Sequence, residues 1–171
     1  MINGERVRLR AIQRKDSDKI LEWVNNPELR KLTGGTYPVS DIEHEIWFKD
    51  KALEKKNKLF GIEKKDNEVL IGIVGFNNTD FINRSAEVYI YLGEPLCWGK
   101  GMGTEALQLM IKFAFDELNL HRLSLIVFSY NSRAIKSYEK VGFIKEGILR
   151  DSIYKSGKYY DKVIMSIINT K

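Results

Sequence analysis

An α+β (mixed α/β) fold, built on a central mixed and mostly antiparallel sheet flanked by helices, is predicted by three features of the sequence. Two helical segments precede most of the sheet. Three β-type runs joined by short turns then read as an antiparallel meander. A helical crossover leads on to one further strand, which must lie parallel to the strand it left. Length and composition fit one such domain over residues 1–171: 43% of the residues are hydrophobic and 30% charged, with no internal repeat, low-complexity segment or Pro/Gly/Ser linker.

Each element has its own signal. The first strand is Arg6 to Arg10, where Val7 and Leu9 alternate with arginines. A helix follows, capped near Asp16 and stopped before Pro27. The next starts at Ser40, because Ser40 and Glu43 form an S-x-x-E capping box ahead of Ile42, Ile46, Trp47 and Phe48. The meander consists of Leu59 to Lys64, Val69 to Phe76 after the turn 65–68, and Ala86 to Leu92, rich in Val, Tyr and Ile. After a glycine-rich loop, a helix runs to about Leu118 with Glu105, Gln108, Lys112 and Asp116 as a narrow polar stripe and the rest of its surface buried. Arg122 to Phe128 is the strand parallel to Ala86 to Leu92. A short helix from Ser132 to Val141 closes at Gly142, a residue that tolerates the left-handed conformation. Phe143 to Ile168 completes the sheet as strands with a hairpin turn near Ser156-Gly157, and Lys162 to Ile168 is read as an exposed edge.

Composition excludes several classes. Cys97 is alone and cannot form an internal disulfide, and with only His44 and His121 as histidines there is no Cys/His cluster of zinc-ligand spacing, so no metal is expected. The first residues carry charge where a signal peptide needs an apolar run, and no uncharged apolar stretch reaches about 18 residues. A soluble, cytoplasmic protein without a membrane partner is expected, as a monomer or homodimer. The formal charge of +5 favours an anionic ligand, but the basic residues are dispersed, which suits a phosphate-bearing small molecule better than nucleic acid.

Chemistry concentrates in Cys97-Trp-Gly-Lys-Gly-Met-Gly-Thr104. Gly99, Gly101 and Gly103 lie between a strand and a helix start, where bare backbone N–H groups and the positive end of the helix make a site for phosphates; a plain flexible connector is the alternative. Neither G-x-G-x-x-G nor G-x-x-x-x-G-K-[ST] occurs, which argues against dinucleotide and P-loop folds.

Three motifs in order complete the pattern: Glu87-Val-Tyr-Ile-Tyr-Leu-Gly93, Trp98-Gly-Lys-Gly-Met-Gly-Thr-Glu-Ala106, and Asn131-Ser-Arg-Ala-Ile-Lys-Ser-Tyr-Glu-Lys-Val-Gly-Phe143 followed by Glu146-Gly147. Together they resemble the GNAT superfamily of acetyl-CoA-dependent N-acetyltransferases, in particular the branch of ribosomal-protein N-terminal acetyltransferases and bacterial spermidine acetyltransferases. The family's loop reads Q/R-x-x-G-x-G/A, whereas its first position here is Trp98. The resemblance implies a GNAT-like sheet with a β-α crossover at the acetyl-CoA site. It implies that the pantetheine pairs with backbone groups of Ile90, Tyr91 and Leu92, and that the pyrophosphate sits on Trp98, Gly99, Lys100, Gly101, Met102, Gly103 and Thr104. Asn131 would contact the pantetheine arm or simply cap its helix, and Arg133 and Lys136 would reach the nucleotide phosphates or stay solvated.

Acetyl transfer to a primary amine requires a proton to leave nitrogen first, since an amine of pKa near 10 is only about one part in a thousand neutral at pH 7, a deficit of about 4 kcal/mol. Glu87, at the mouth-side start of the cofactor strand, is the candidate base, directly or through water; an exposed carboxylate in a salt bridge is the competing reading. Tyr138 occupies the place where the resembling enzymes carry the acid for the leaving thiolate, and otherwise is a core aromatic beside Ala134, Ile135 and Val141. For the acceptor the candidates are Trp23, Tyr37, His44, Trp47 and Tyr89, aromatics whose helical spacing equally suits a core. Three acceptors compete: a protein N-terminus such as a ribosomal one, a polyamine, and an amino sugar on a nucleotide. A non-catalytic acyl-CoA-binding module is the alternative class, disfavoured by the retained tyrosine.

Overall fold

The alternation in Val7–Ala11 places Val7 and Leu9 in the core with no exposed surface, and Arg8 and Arg10 on the other face. The computed structural model describes residues 1–170 and forms one eight-stranded sheet in the order β1-β2-β3-β4-β5-β6-β8-β7. The strands are β1 (Ile2–Asn3), β2 (Val7–Ala11), β3 (Leu59–Lys64), β4 (Leu70–Asp80), β5 (Ser85–Leu92), β6 (Arg122–Phe128), β7 (Ile144–Lys155) and β8 (Lys158–Ile168). All neighbours are antiparallel except β5 and β6, which the crossover helix makes parallel, as predicted.

The helices are α1 (Ser17–Asn25), α2 (Pro27–Thr33), α3 (Asp41–Leu53), α4 (Met102–Lys112) and α5 (Ser132–Lys140). The capping box predicted at Ser40 is present, with the Glu43 backbone N–H donating to the Ser40 hydroxyl and the Ser40 N–H donating to the Glu43 carboxylate. Among the described residues, no helix is long and apolar enough to cross a membrane.

Three expectations need correction. Pro27 does not merely stop a helix; it starts one. Its missing N–H falls where a first-turn N–H has no helical partner, and the Asn26 side chain accepts from the N–H groups of Glu28 and Leu29. Second, Lys162 to Ile168 is not at the edge: β8 lies between β6 and β7, and β7 is the outer strand. A hairpin brings β7 back outside β8 because β6 has already taken the inner side. Third, α4 gives way at Phe113 to a π-helical segment, Phe113–Glu117, and Glu105 is not part of a solvated stripe. Its carboxylate accepts from the backbone N–H groups of Arg6 and Val7 at 2.8 and 3.2 Å and from the Arg6 Nε at 3.0 Å, tethering α4 to the start of β2.

The sheet separates two apolar layers. On one face α4 and α5 pack over Ile71, Val74, Phe76, Ala86, Val88, Leu123, Leu125 and Val127. On the other, α1, α2 and α3 bury Ile20, Trp23, Leu29 and Phe48 against Leu59, Leu70 and Ile73. Arg10 is itself buried: its guanidinium takes Asp16 bidentately at 2.7 and 2.9 Å and donates from Nε to Glu63, which also accepts from Arg8 at 2.6 Å. This pins the turn before α1 to β2 and β3.

Candidate active site

The site originates in an interrupted ladder. β5 and β6 pair at Ser85–Arg122, Ala86–Leu123 and Glu87–Ser124, and no further. Beyond Glu87, β5 continues against β4 as far as Leu92, while β6 continues against β8 as far as Phe128. The strands therefore fork, and the β6-facing backbone edge of residues 88–92 is left without a strand partner. A cavity of about 600 Å³ fills the fork.

The glycine loop closes one end of the fork. Gly101 adopts φ +78° at the start of α4, and a Cβ there would stand 3.0 Å from the Arg6 guanidinium, which holds the loop from outside by donating to the Lys100 carbonyl at 2.7 Å. Gly99, Gly101, Gly103 and Thr104 line the cavity, so backbone N–H groups at the α4 terminus face it. The Lys100 and Met102 side chains do not line it. Lys100 is exposed and Met102 packs on the core, because alternate loop positions point away from the cavity. Trp98 does line it. Its indole donates to the Leu92 carbonyl at 2.9 Å, and the Arg133 guanidinium lies 4.2 Å over its ring. The position that lacks the family's Gln or Arg thus carries a cation by stacking.

Helix α5 supplies the opposite wall through Asn131, Arg133, Ala134, Lys136, Ser137, Tyr138 and Lys140. Asn131 caps the helix, its side chain accepting from the Ala134 N–H at 3.3 Å, and still borders the cavity; the two readings of this residue are compatible. The Ser137 and Thr104 hydroxyls are 2.9 Å apart and join α5 to α4 at the glycine-loop end of the cavity. Burial pushes the Tyr138 phenol up to about 12, so it stays protonated at neutral pH.

Glu87 stands at the closed end of the fork, not at its mouth, since it is the last β5 residue still paired with β6. Its carboxylate accepts from the Asn78 amide at 3.4 Å and does not line the cavity. Of the acceptor candidates, Tyr89 lines the cavity, with its hydroxyl buried, unpaired and raised to about 12 by burial. Trp23 is 2% exposed and donates to Glu94, while His44 is 3% exposed with Nε2 2.8 Å from the Ser17 carbonyl. Both are core residues without a face on the cavity. Trp47 stacks against His44 within that same layer, and Tyr37 projects from an exposed loop; neither borders the fork.

The wall that the sequence reading missed belongs to α2 and the end of β6: Leu29, Leu32, Thr33, Ile126 and Phe128. Its signal was the cap pattern of a short helix, Asn26-Pro27 before it and Gly34 after it, with Gly34 at φ +86°. Among the described residues no cluster of His, Cys, Asp and Glu is arranged to hold a metal.

Comparison with known proteins agrees with this geometry. The family described as "Acetyltransferase (GNAT) domain" matches residues 6–144. An uncharacterized N-acetyltransferase, p20, of Bacillus licheniformis is 33% identical over 96% of this chain and 93% of its own. A putative ribosomal N-acetyltransferase of Bacillus subtilis, YdaF, is 30% identical over 96% of this chain and 92% of its own. The crystal structure of spermidine N-acetyltransferase from Vibrio cholerae in complex with CoA and spermine superposes with a TM-score of 0.89 at 29% identity, covering 96% of each chain.

Proposed function

This chain belongs to the GNAT acetyltransferase family, an acetyl-CoA-dependent N-acetyltransferase whose reaction is acetyl transfer to an amine, and we propose that the transfer is direct, from acetyl-CoA held in the β5–β6 fork to a primary amine, with Tyr138 as the acid for the leaving thiolate. When bound, acetyl-CoA supplies the activated acetyl thioester. The residues present suit it: a strand edge without a strand partner, open at 88–91 and closed at the Leu92 carbonyl by the Trp98 indole, for an amide-bearing arm, N–H groups of the glycine loop for phosphates, and Arg133, Lys136 and Lys140 as cations on the α5 wall.

One observation carries the reading: the Tyr138 phenol lines the same cavity as the glycine loop, on the helix whose Ser137 meets Thr104 at the loop, and burial keeps it protonated. A phenol that remains protonated has a proton to give to sulfur. Glu87, at the fork's closed end, takes the amine's proton through water, since its side chain stops short of the cavity. Asn131 orients the cofactor arm, and Arg133 on Trp98 neutralises a phosphate in place of the family's loop side chain. Among the described residues no Ser/His/Asp or Cys/His arrangement lines the cavity, which supports direct attack without an enzyme nucleophile.

Rate profiles of the parent, Tyr138→Phe and Glu87→Gln against pH test this. The phenylalanine variant should lose about 10²-fold to 10³-fold in kcat, some 3 to 4 kcal/mol, with CoA affinity and Tm unchanged. Glu87→Gln should lose most near neutrality and recover in alkali, where more amine is already neutral. In the parent, Tyr138 ionisation should cause no fall in rate up to pH 10, where a group of pKa near 12 is only about 1% ionised. Full kcat in Tyr138→Phe would make the residue a core aromatic, and a loss at Glu87→Gln that is flat with pH would make Glu87 structural.

A further inference from the structure

The cavity crosses the sheet, and its two sides differ in chemistry. The α5 side carries all of its charge, as Arg133, Lys136 and Lys140. The α2 side is mostly apolar, with Leu29, Leu32, Ile126 and Phe128; the Thr33 hydroxyl there donates to the Leu29 carbonyl, and the Tyr89 and Tyr91 phenols of the same layer keep their buried hydroxyls unpartnered. Among the described residues, no Asp or Glu lines either side. Of the nearby carboxylates, Glu28 borders a smaller depression that adjoins the cavity through Leu32, Trp98, Asn131 and Arg133, Glu94 is paired with Lys19 and accepts from Trp23, and Glu87 is a single group at the closed end of the fork.

A polyamine brings one or more ammonium groups besides the one that reacts. Each loses water on entering a cavity and then needs a carboxylate or several carbonyl oxygens as partners. The α2 wall offers no carboxylate, and the neutral hydroxyls of Tyr89 and Tyr91 do not replace one. An apolar substituent beside the reacting nitrogen meets the reverse situation, because it is buried against leucine, isoleucine and phenylalanine side chains without leaving a charge unpaired. The wall is also held in place: the Lys31 carbonyl at the end of α2 accepts from the Tyr130 hydroxyl at 2.5 Å, and the Gly35 carbonyl accepts from Lys155 on the β7–β8 hairpin at 2.7 Å.

Resting on the acetyl-transfer reading above, we infer that the acceptor is a monoamine with an apolar or aromatic group next to the reacting nitrogen, seated between α2 and the end of β6. The spermine bound by the similar Vibrio cholerae enzyme is the wrong charge type for this cavity.

The test is thiol release from acetyl-CoA with four acceptors: 2-phenylethylamine, a peptide beginning with leucine, spermidine and spermine. The apolar amines should exceed spermidine by at least 100-fold in kcat/KM, and the ratio between phenylethylamine and the peptide identifies the source of the amine. Spermidine equal to or better than both would overturn this inference while leaving acetyl transfer intact. Turnover of none, with CoA still bound in calorimetry, would overturn both. Leu32→Glu, at a half-buried position that tolerates a charge, should raise kcat/KM for spermidine at least tenfold and lower it for phenylethylamine. An unchanged ratio would place the acceptor elsewhere.

Discussion

At the scale of single residues, the glycines of the loop are not equivalent. Gly101 combines a left-handed φ of +78° with Arg6 at 3.0 Å from any Cβ, so a side chain there is strained by backbone and neighbour alike. Gly103 is in the first turn of α4, and a Cβ would make only ordinary contact with Leu92 at 3.6 Å. The protein itself therefore tolerates Gly103→Ala, which should keep or raise Tm because alanine favours the helix by up to about 1 kcal/mol. If the phosphates approach the backbone closely, the same variant should weaken CoA binding at least tenfold in calorimetry, whereas Gly101→Val should lose both binding and stability. Undiminished binding in both variants would remove the loop from the site. The stacking of Arg133 on Trp98 belongs to this scale too, since a tryptophan whose indole N–H is fixed to the Leu92 carbonyl presents a rigid face for a cation.

At the scale of elements, the short helix α2 forms one wall of the cavity. Seven residues are too few to hold a helix by propensity, so its ends matter: Asn26 caps the start and Gly34 closes the end at φ +86°. A Cβ on Gly34 would stand 2.7 Å from the Phe128 ring, which lines the cavity together with Leu32. Gly34→Ala should therefore cost about 1 to 2 kcal/mol of stability and displace the wall, raising KM for the amine several-fold while the Kd for CoA, bound on the other side, stays the same. An unchanged KM would separate α2 from acceptor binding. The helix was legible in part. The N-P-E-L start and the Gly-Gly end are cap signals, but a proline after an apparently complete helix also reads as a stop, and only packing of Leu29 against Trp23 and Phe48 shows that the chain resumes a helix there.

At the scale of the whole molecule, the outer strand β7 is fastened to the sheet by a charge cluster as well as by its hairpin. Arg122 on β6 pairs with Glu146 on β7, donating from Nη1 at 2.8 Å across the intervening β8, whose buried Ser166 also donates to the same carboxylate. These donors hold the Glu146 carboxyl down at about 2, below the usual carboxylate range. A lowered folded-state pKa means that the stabilisation is complete above about 4.5 and is lost as pH falls from there toward 2. Glu146→Gln should therefore lower Tm modestly at pH 7, because the carboxylate is well exposed and screened, and should flatten the fall of Tm between pH 4.5 and pH 2. An identical acid limb in parent and variant would show that other groups govern acid unfolding. The buried Arg10–Asp16–Glu63 cluster fastens the opposite half of the sheet in the same manner, tying the turn before α1 to β2 and β3.

The sequence by itself determined the family, the meander, the crossover and the glycine loop, because each is written in local chemistry: alternation in β2, the Ser40–Glu43 box, glycines at a strand-to-helix junction, and an Asn131-to-Phe143 motif of fixed spacing. It also brought Tyr138, Asn131, Arg133 and Lys136 forward as candidates, and all four line one cavity with the loop. What only the tertiary structure decided is where the fork opens and what faces it. Pairing of β5 with β6 ends at Glu87–Ser124, and that limit depends on β4 and β8 drawing the two strands apart, contacts between segments distant in sequence. For the same reason Trp23 and His44 were candidates for the acceptor on residue type and proved to be core, while Leu29, Leu32, Ile126 and Phe128 were unremarked aliphatic and aromatic positions that became the wall. An apolar side chain looks the same in sequence whether its face is covered by a helix or left open to a substrate, and that difference is made by which elements pack on it.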